Sequence, residues 1–187
     1  EVLRAIAVTA ERNGADVLIL GTELRGVSGA AQWGDTIAEI RALFSGKLTY
    51  VAHGADEAEK IAFWPELDAV AVSLYPVLGA PDAPADWDRA IALELDRVAA
   101  VARKYAKPIW IAEIGLRSAE GATPPADMAL QAEVLERWLR ALEARGIQDV
   151  WIWRWFTDPD GGGAGDTDFT VQNKVAQEVI AGFWREK

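Results

Sequence analysis

The chain has 187 residues, 51% of them hydrophobic, and its 29 acidic against 19 basic side chains give a formal net charge of −10 at pH 7. This acidic balance argues against a nucleic-acid partner and suits a neutral ligand. The sequence has no cysteine and one histidine, His53, which excludes disulfides and cysteine-ligated metals and leaves little material for a zinc site or a Ser/His/Asp triad.

Hydropathy gives no sign of a membrane-spanning segment, because no apolar run approaches the roughly 18 residues that such a helix needs. No signal peptide is visible, so the default expectation is a cytoplasmic protein. Secretion stays open if a further N-terminal segment precedes this sequence.

Amphipathic helices alternate with short apolar runs along the whole chain. Helices are predicted over residues 1–13, 36–44, 55–63, 87–105, 126–145 and 171–184, and strands over residues 17–20, 48–52, 69–74, 109–112 and 150–155. A long connection, 77–86, precedes the fourth helix. Trp64, Trp138 and Trp184 lie in helix-like contexts and are expected in the core.

This alternation predicts right-handed β-α-β units and a parallel sheet within one domain, residues 1–187. The predicted fold class is α/β, a partial (β/α)₈ barrel. Five strands are too few for a closed eight-stranded barrel, which typically takes about 250 residues. Either three β-α units lie upstream or another chain supplies the missing wall.

Side chains suited to sugar chemistry lie where the predicted strands end, at the edge where parallel α/β proteins place reacting groups. They are Glu23, His53, Tyr75, Glu113, Trp153 and Trp155. Retaining glycosidases use two carboxyl groups about 5–5.5 Å apart, one as acid and base and the other as nucleophile. Strand alternation extends the row of Val17 and Ile19 to Glu23, and that of Ile109 and Ile111 to Glu113.

Each glutamate also has a purely structural interpretation: it could cap the following helix or pair with Arg25 or Arg117. Two glutamates placed in this way favour catalysis more than either one alone. The catalytic hypothesis predicts carboxyl oxygens roughly 5–6 Å apart and a raised pKa for one of the pair.

Short motifs in order along the chain resemble the β-mannanases of glycoside hydrolase family 113. They are Gly-Thr-Glu-Leu at 21–24, Leu-Thr-Tyr-Val-Ala at 48–52, Val-Ser-Leu-Tyr-Pro at 72–76, Ala-Glu-Ile-Gly at 112–115 and Gly-Asp-Thr-Asp-Phe-Thr at 165–170. The resemblance aligns this chain with strands four to eight of the family barrel, without the first three β-α units.

The resemblance implies roles for the strand-end residues. Glu23 falls at the acid/base position and Glu113 at the nucleophile position. Tyr75 would donate a hydrogen bond to the nucleophile, and Trp153 or Trp155 would form the platform under the sugar. Neither a metal nor an organic cofactor is required.

Two further features have alternative interpretations. His53 stands where the family often has other polar residues, and it is either a sugar-hydroxyl contact or a plain strand-end residue. Asp158, Asp166 and Asp168 lack the regular spacing of a calcium loop, so a solvated turn is favoured.

The sequence therefore predicts a retaining β-glycoside hydrolase that acts on mannan-like or related β-linked sugars. The alternative is a non-catalytic truncated barrel that binds sugar or serves only in assembly. Because two strand edges are predicted to be open, the chain is expected to pair with a second copy of itself.

Overall fold

The computed structural model describes residues 1–75, 84–118 and 127–185. Most of the predicted connection 77–86 and residue 126, the predicted start of a helix, lie outside these ranges. The chain divides into two compact units, Glu1–Ser73 with Glu94–Ala112 and Leu74–Leu93 with Glu113–Lys187. A single domain over 1–187 stays a prediction.

Helices and strands alternate through the described residues much as the sequence predicts. The helices are α1 (Val2–Arg12), α2 (Trp33–Arg41), α3 (Gly54–Ala58), α4 (Pro84–Tyr105), α5 (Met128–Glu143) and α6 (Val175–Arg185). The strands are β1 (Val17–Thr22), β2 (Lys47–His53), β3 (Val70–Leu74), β4 (Ile109–Ile114) and β5 (Val150–Ile152). The helix predicted over 55–63 is shorter, and a 3₁₀ turn at Trp64–Glu66 follows it.

The five strands described form one sheet in the order β1-β2-β3-β4-β5. β1 pairs with β2 and β2 with β3, both in parallel. The predicted parallel sheet, with strands in sequence order, is confirmed. In the first unit, the parallel pairing brings the carboxyl ends of β1, β2 and β3 to one edge, where Glu23 and His53 lie.

The core of the first unit is aromatic and lies beside β2. Tyr50, on β2, packs edge-to-face on Trp33 and on Phe63, with ring centroids 5.4 and 5.6 Å away. Trp64 is fully buried in the same cluster and donates its ring N–H to the Ala58 carbonyl. These large apolar rings fix the path of β2 and of the chain that follows it.

β1 is buried on one face only. Although 17–20 is a continuous apolar run, only Leu18 and Leu20 are buried, while Val17 and Ile19 are 37% and 45% exposed. Because alternate residues of a strand point to opposite faces, one whole face of β1 is covered and the other is open.

In the second unit, α5 and α6 pack against each other. Asp127 caps α5 by accepting a hydrogen bond from the Leu130 amide, as short polar residues do at helix N-termini. Trp138 is buried on α5, as predicted, whereas Trp184 near the end of α6 is 37% exposed and is not a core residue. None of the helices in the described part of the chain has an apolar stretch of the length that a bilayer requires.

Candidate active site

Glu23 lies just beyond β1, in the first unit, and its backbone is unusual. The pairing of β1 with β2 shifts between Ile19 and Thr22, and Glu23 adopts a left-handed conformation with φ of 54°. Its N–H donates to the Val51 carbonyl at 2.8 Å. The simple strand alternation used to place Glu23 therefore stops before it, and a backbone irregularity places its side chain instead. Such positions in non-glycine residues concentrate at functional sites.

The carboxylate of Glu23 forms a cluster with two side chains from the next strands, here named the Glu23 cluster (Glu23, His53, Ser73). Ser73, on β3, donates its hydroxyl to Oε1 of Glu23. Nδ1 of His53, the last residue of β2, lies 3.0 Å from the same oxygen. The two atoms lie in close contact without a formed hydrogen bond. All three lie near the carboxyl ends of their strands, where the sequence predicted Glu23 and His53.

The Glu23 cluster favours the ionised carboxylate. Burial alone raises the pKa of Glu23, but the close contact with His53, the hydrogen bond from Ser73 and the charges of His53 and Arg25 outweigh it and leave the pKa below its ordinary value. Glu23 is therefore not the member of the pair with a raised pKa.

Glu113 lies on β4 in the second unit, and a tyrosine hydroxyl holds it. Tyr75, one residue beyond β3, donates its hydroxyl to Oε2 of Glu113. The Tyr75 ring stands edge-on to Phe169, with centroids 5.5 Å apart at 79°. The contact expected between Tyr75 and Glu113 is present, and Phe169 supports the ring that makes it.

The loop that carries Phe169 is fixed by a buried lysine. Nζ of Lys174, whose side chain is 0% exposed, donates to Oδ1 of Asp166 at 2.7 Å, to Ser118 Oγ at 2.9 Å and to the Asp168 carbonyl at 3.1 Å. Burial raises the pKa of Asp166, but the hydrogen bond from Lys174 is among the interactions that lower it overall. Asp168 in turn pairs with Arg154.

In this loop Asp166 and Asp168 are therefore each paired with a cationic side chain, Lys174 and Arg154. Among the described residues, no group of three or more His, Asp or Glu side chains is arranged to hold a metal ion.

The candidate tryptophans follow β5, which is shorter than predicted. β5 ends at Ile152, and the peptide bond between Trp153 and Arg154 is cis. The Trp153 N–H donates to the Ile114 carbonyl at 2.8 Å, next to Glu113 in the chain. Because β5 ends at Ile152, strand alternation does not extend to Trp155. Trp153 and Trp155 are nevertheless about half-exposed, as a stacking surface for sugar requires.

Two contributors were not identified from the sequence. Ser73 stands two residues before Tyr75, and this spacing on a strand could have marked it as a second polar residue on the same face. Phe169 follows a loop without regular periodicity, so only the three-dimensional contact with Tyr75 reveals it.

The amino-acid sequence matches a known protein family. The family model for Glycoside Hydrolase Family 113 matches residues 1–174. The chain belongs to Glycoside Hydrolase Family 113. The resemblance seen in the short sequence motifs is thereby confirmed, and the chain is a member of a glycoside hydrolase family.

Solved structures agree on the fold. A β-1,4-mannanase of this family superposes with a TM-score of 0.84 at 23% identity, over 100% of this chain and 61% of that chain. The β-mannanase of Alicyclobacillus acidocaldarius gives 0.75 at 22% identity, over 100% and 60%. A β-glucuronidase of Faecalibacterium prausnitzii gives 0.71 at 17% identity, over 99% and 34%. No curated protein matches the chain.

The chain thus spans about 61% of the length of the family mannanase in the first of these matches. The predicted fold class, a partial (β/α)₈ barrel with five parallel strands, is confirmed. The shorter span also agrees with the prediction that the first three β-α units of the family pattern are not part of this sequence.

Proposed function

We propose that the chain carries the catalytic carboxylates of a retaining β-glycoside hydrolase acting on mannan-like or related β-linked sugars. The observation that carries the proposal is that two partly exposed strand-end glutamates each accept a hydrogen bond from a neighbouring hydroxyl group, Glu23 from Ser73 and Glu113 from Tyr75. Such donors fix the direction of a carboxylate, which a reaction at one carbon atom requires.

In the proposed first step, Glu113 attacks the anomeric carbon while Glu23 gives its proton to the departing glycosidic oxygen. This forms a covalent glycosyl-enzyme. The hydrogen bond from Tyr75 orients the attacking carboxylate. Trp153 or Trp155 offers an indole face for the sugar.

In the second step, Glu23 takes a proton from water as that water attacks the same carbon and releases Glu113. The lowered pKa of Glu23 suits this role as base. For the first step, Glu23 must hold a proton when substrate is bound. Substrate that displaces water from the carboxylate raises its pKa, because desolvation disfavours the charged form.

His53 has a proposed role in the same cycle. Its Nδ1 contacts Glu23, which favours it as a partner of the acid/base carboxylate over a plain strand-end residue. A contact with a sugar hydroxyl through the other ring nitrogen is compatible with this position.

Hydrolysis of an aryl β-mannoside by the purified chain tests the proposal, with Glu23→Gln and Glu113→Gln as the variants. We expect release of the phenol by the wild type, none by either variant, and an NMR spectrum in which the first-formed sugar keeps the β configuration. Full activity in both variants would remove the two glutamates from the mechanism.

The second candidate is a non-catalytic chain that binds sugar or serves in assembly, and the half-exposed indole rings of Trp153 and Trp155 would supply the contact with sugar. Tryptophan fluorescence separates the two functions. A change on addition of mannooligosaccharides, without any hydrolysis, would indicate binding alone.

We also propose that the partner of this chain is a second copy of itself. β1 and β5 end the strand order of the sheet, and both carry exposed apolar side chains, Val17 and Ile19 on β1 and Trp151 on β5. Exposed strand edges lined by apolar side chains favour association.

A further inference from the structure

A buried tyrosine–carboxylate pair lies beneath the Glu23 cluster and has no place in the reaction proposed above. Tyr50 on β2 is 0% exposed, and Glu57 on α3 is 3% exposed. The Tyr50 hydroxyl donates to Oε1 of Glu57 at 2.7 Å. Removing a carboxylate from water is costly, so a buried acidic side chain needs several hydrogen-bond partners.

Both members of this pair also accept hydrogen bonds from backbone N–H groups at the Glu23 cluster. The Tyr50 hydroxyl accepts the N–H of Leu24, the residue after Glu23, at 2.7 Å. Oε2 of Glu57 accepts the N–H of His53 at 2.7 Å. The pair thus connects the backbone next to Glu23 with the backbone of the histidine that contacts it.

The surroundings hold the Tyr50 ring in one position. Trp33 and Phe63 pack on it. The backbone of Gly21 also lies close to the ring: a Cβ atom added there would be 3.2 Å from a ring carbon of Tyr50 and 2.7 Å from a side-chain carbon of Leu24. Burial, and then the hydrogen bond to Glu57 and its charge, raise the pKa of Tyr50 above its ordinary value. The hydroxyl therefore remains a proton donor throughout the pH range of a working protein.

We propose that Tyr50 and Glu57 are positioning residues. They hold the Glu23 carboxylate and the His53 ring in the relative position that proton transfer requires. The inference rests on the proposed acid/base role of Glu23. The left-handed backbone of Glu23 is an uncommon conformation that persists only where neighbouring contacts enforce it. The Val51 carbonyl fixes the Glu23 amide, and Tyr50 fixes the next amide along the chain.

The variants Tyr50→Phe and Glu57→Gln nearly keep the shape of the side chain. Tyr50→Phe removes both hydrogen bonds of the hydroxyl group, and Glu57→Gln leaves one acceptor oxygen in place of two. Thr49→Val is the matched control, because Thr49 is a buried β2 residue whose hydroxyl donates to the Ala69 carbonyl, away from Glu23. All three variants lose a buried hydrogen bond, so a purely structural role predicts similar behaviour in all three.

The kinetic readout compares phenyl and 2,4-dinitrophenyl β-mannoside. The poor leaving group needs a proton from the acid, whereas the good one does not. We expect Tyr50→Phe and Glu57→Gln to lower kcat/KM about tenfold for the phenyl substrate and much less for the dinitrophenyl substrate, a partial loss of general-acid catalysis. Equal losses on both substrates, or the same pattern in Thr49→Val, would overturn the proposal.

A second readout needs no activity. His53 is the one histidine of the sequence, so its imidazole NMR signals are assigned without ambiguity. Glu23→Gln should displace these signals, because the carboxylate lies 3.0 Å from Nδ1. We expect a smaller displacement when Glu23→Gln is made in the Tyr50→Phe background and an unchanged one in the Thr49→Val background. The same displacement in all backgrounds would show that Tyr50 does not position Glu23.

The two readouts separate failure of this inference from failure of the proposed function. If neither substrate is hydrolysed, the proposed function fails, and the His53 signals alone decide whether Tyr50 positions Glu23. If Glu23→Gln abolishes hydrolysis of the phenyl substrate while Tyr50→Phe behaves as Thr49→Val, the proposed function stands and the positioning role is wrong.

Discussion

Nδ1 of His53 and Oε1 of Glu23 lie 3.0 Å apart, and the same oxygen accepts the hydroxyl of Ser73. A carboxylate held in this way is stabilised in its charged form, and the pKa of Glu23 is lowered although burial opposes the shift. The contact therefore links one strand-end glutamate to the pH dependence of folding as well as to the proposed reaction.

The first prediction concerns stability in acid. A carboxyl group whose folded pKa is lowered contributes stability above its unfolded pKa and loses that contribution as the pH falls through the folded pKa. Between about pH 6 and about pH 3, the wild type should thus lose more unfolding free energy than Glu23→Gln does. Urea unfolding at both pH values measures the difference. Glu178→Gln, on an exposed position of α6, is the control and should follow the wild type, and the same behaviour in Glu23→Gln would contradict the lowered pKa.

The second prediction concerns the hydroxyl of Tyr75. A hydrogen bond to a charged group contributes about 1.5–3 kcal/mol, so Tyr75→Phe should lower kcat/KM by roughly ten- to a hundredfold if Glu113 is the nucleophile. The ring and its contact with Phe169 remain. Tyr105→Phe, at the end of α4, serves as the control and should leave kcat/KM as in the wild type. A Tyr75→Phe variant with wild-type kcat/KM would indicate that the hydroxyl does not act on the nucleophile.

Much of the sheet could be predicted from the sequence, because its strands are short apolar runs between amphipathic helices. The alternation rule was less successful at the strand ends. Glu23 leaves β1 through a shifted register and a positive φ, and β5 stops before Trp153. Neither irregularity has a signal in a single sequence, because both depend on which backbone groups the neighbouring strand offers.

The partners of the site residues were harder to predict than the residues themselves. Glu23, His53, Tyr75 and Glu113 could be identified because polar side chains follow apolar runs. Tyr50 and Glu57 gave no such signal: one is a typical aromatic residue of a strand core and the other a typical charged residue of a helix. Their roles depend on hydrogen bonds to backbone amides, which sequence patterns do not reveal.

The third prediction concerns the buried lysine. Removing one partner of a buried ion pair lowers the free energy of unfolding by about 3–5 kcal/mol. The Lys174 side chain is fully buried and donates to three acceptor oxygens. Lys174→Met should therefore lower the unfolding free energy by about 3 kcal/mol. Arg140→Gln is the control, since its pair with Glu136 is exposed and such pairs contribute at most about 0.5 kcal/mol. Urea unfolding compares the two variants, and similar losses would show that burial of Lys174 is unimportant.

The fourth prediction concerns the backbone beside Glu113. A side-chain carbon added at Gly115 would lie 2.3 Å from the Trp153 carbonyl oxygen and 3.2 Å from Phe169. Gly115→Ala should therefore displace the backbone at Trp153. It should lower the free energy of unfolding by about 1–3 kcal/mol, the usual range for overpacking. Gly182→Ala, in α6 with open space around it, should instead raise stability by about 0.5–1 kcal/mol. Thermal unfolding measures both, and a neutral Gly115→Ala would contradict the close backbone approach.

The last prediction concerns the state of association. β1 is at one end of the strand order and presents Ile19 with 45% exposure, in a strand whose other face is buried. A second copy that covers this face would remove apolar surface from water. Pairing along the edge of β1 would also provide partners for backbone N–H and C=O groups at that edge. Stable homodimers of this kind bury roughly 2,000 Å² or more.

Light scattering on the purified chain should therefore give twice the mass of the chain. Ile19→Lys places a charge on the open face of β1 and should shift the equilibrium towards the monomer. Val2→Lys, on an α1 position that is even more exposed, should leave the dimer intact, because that side chain lies on a helix and offers no strand edge. A wild-type chain that remains a soluble monomer at high concentration would show that β1 needs no second copy, and equal effects of the two lysine variants would show that the contact does not involve β1.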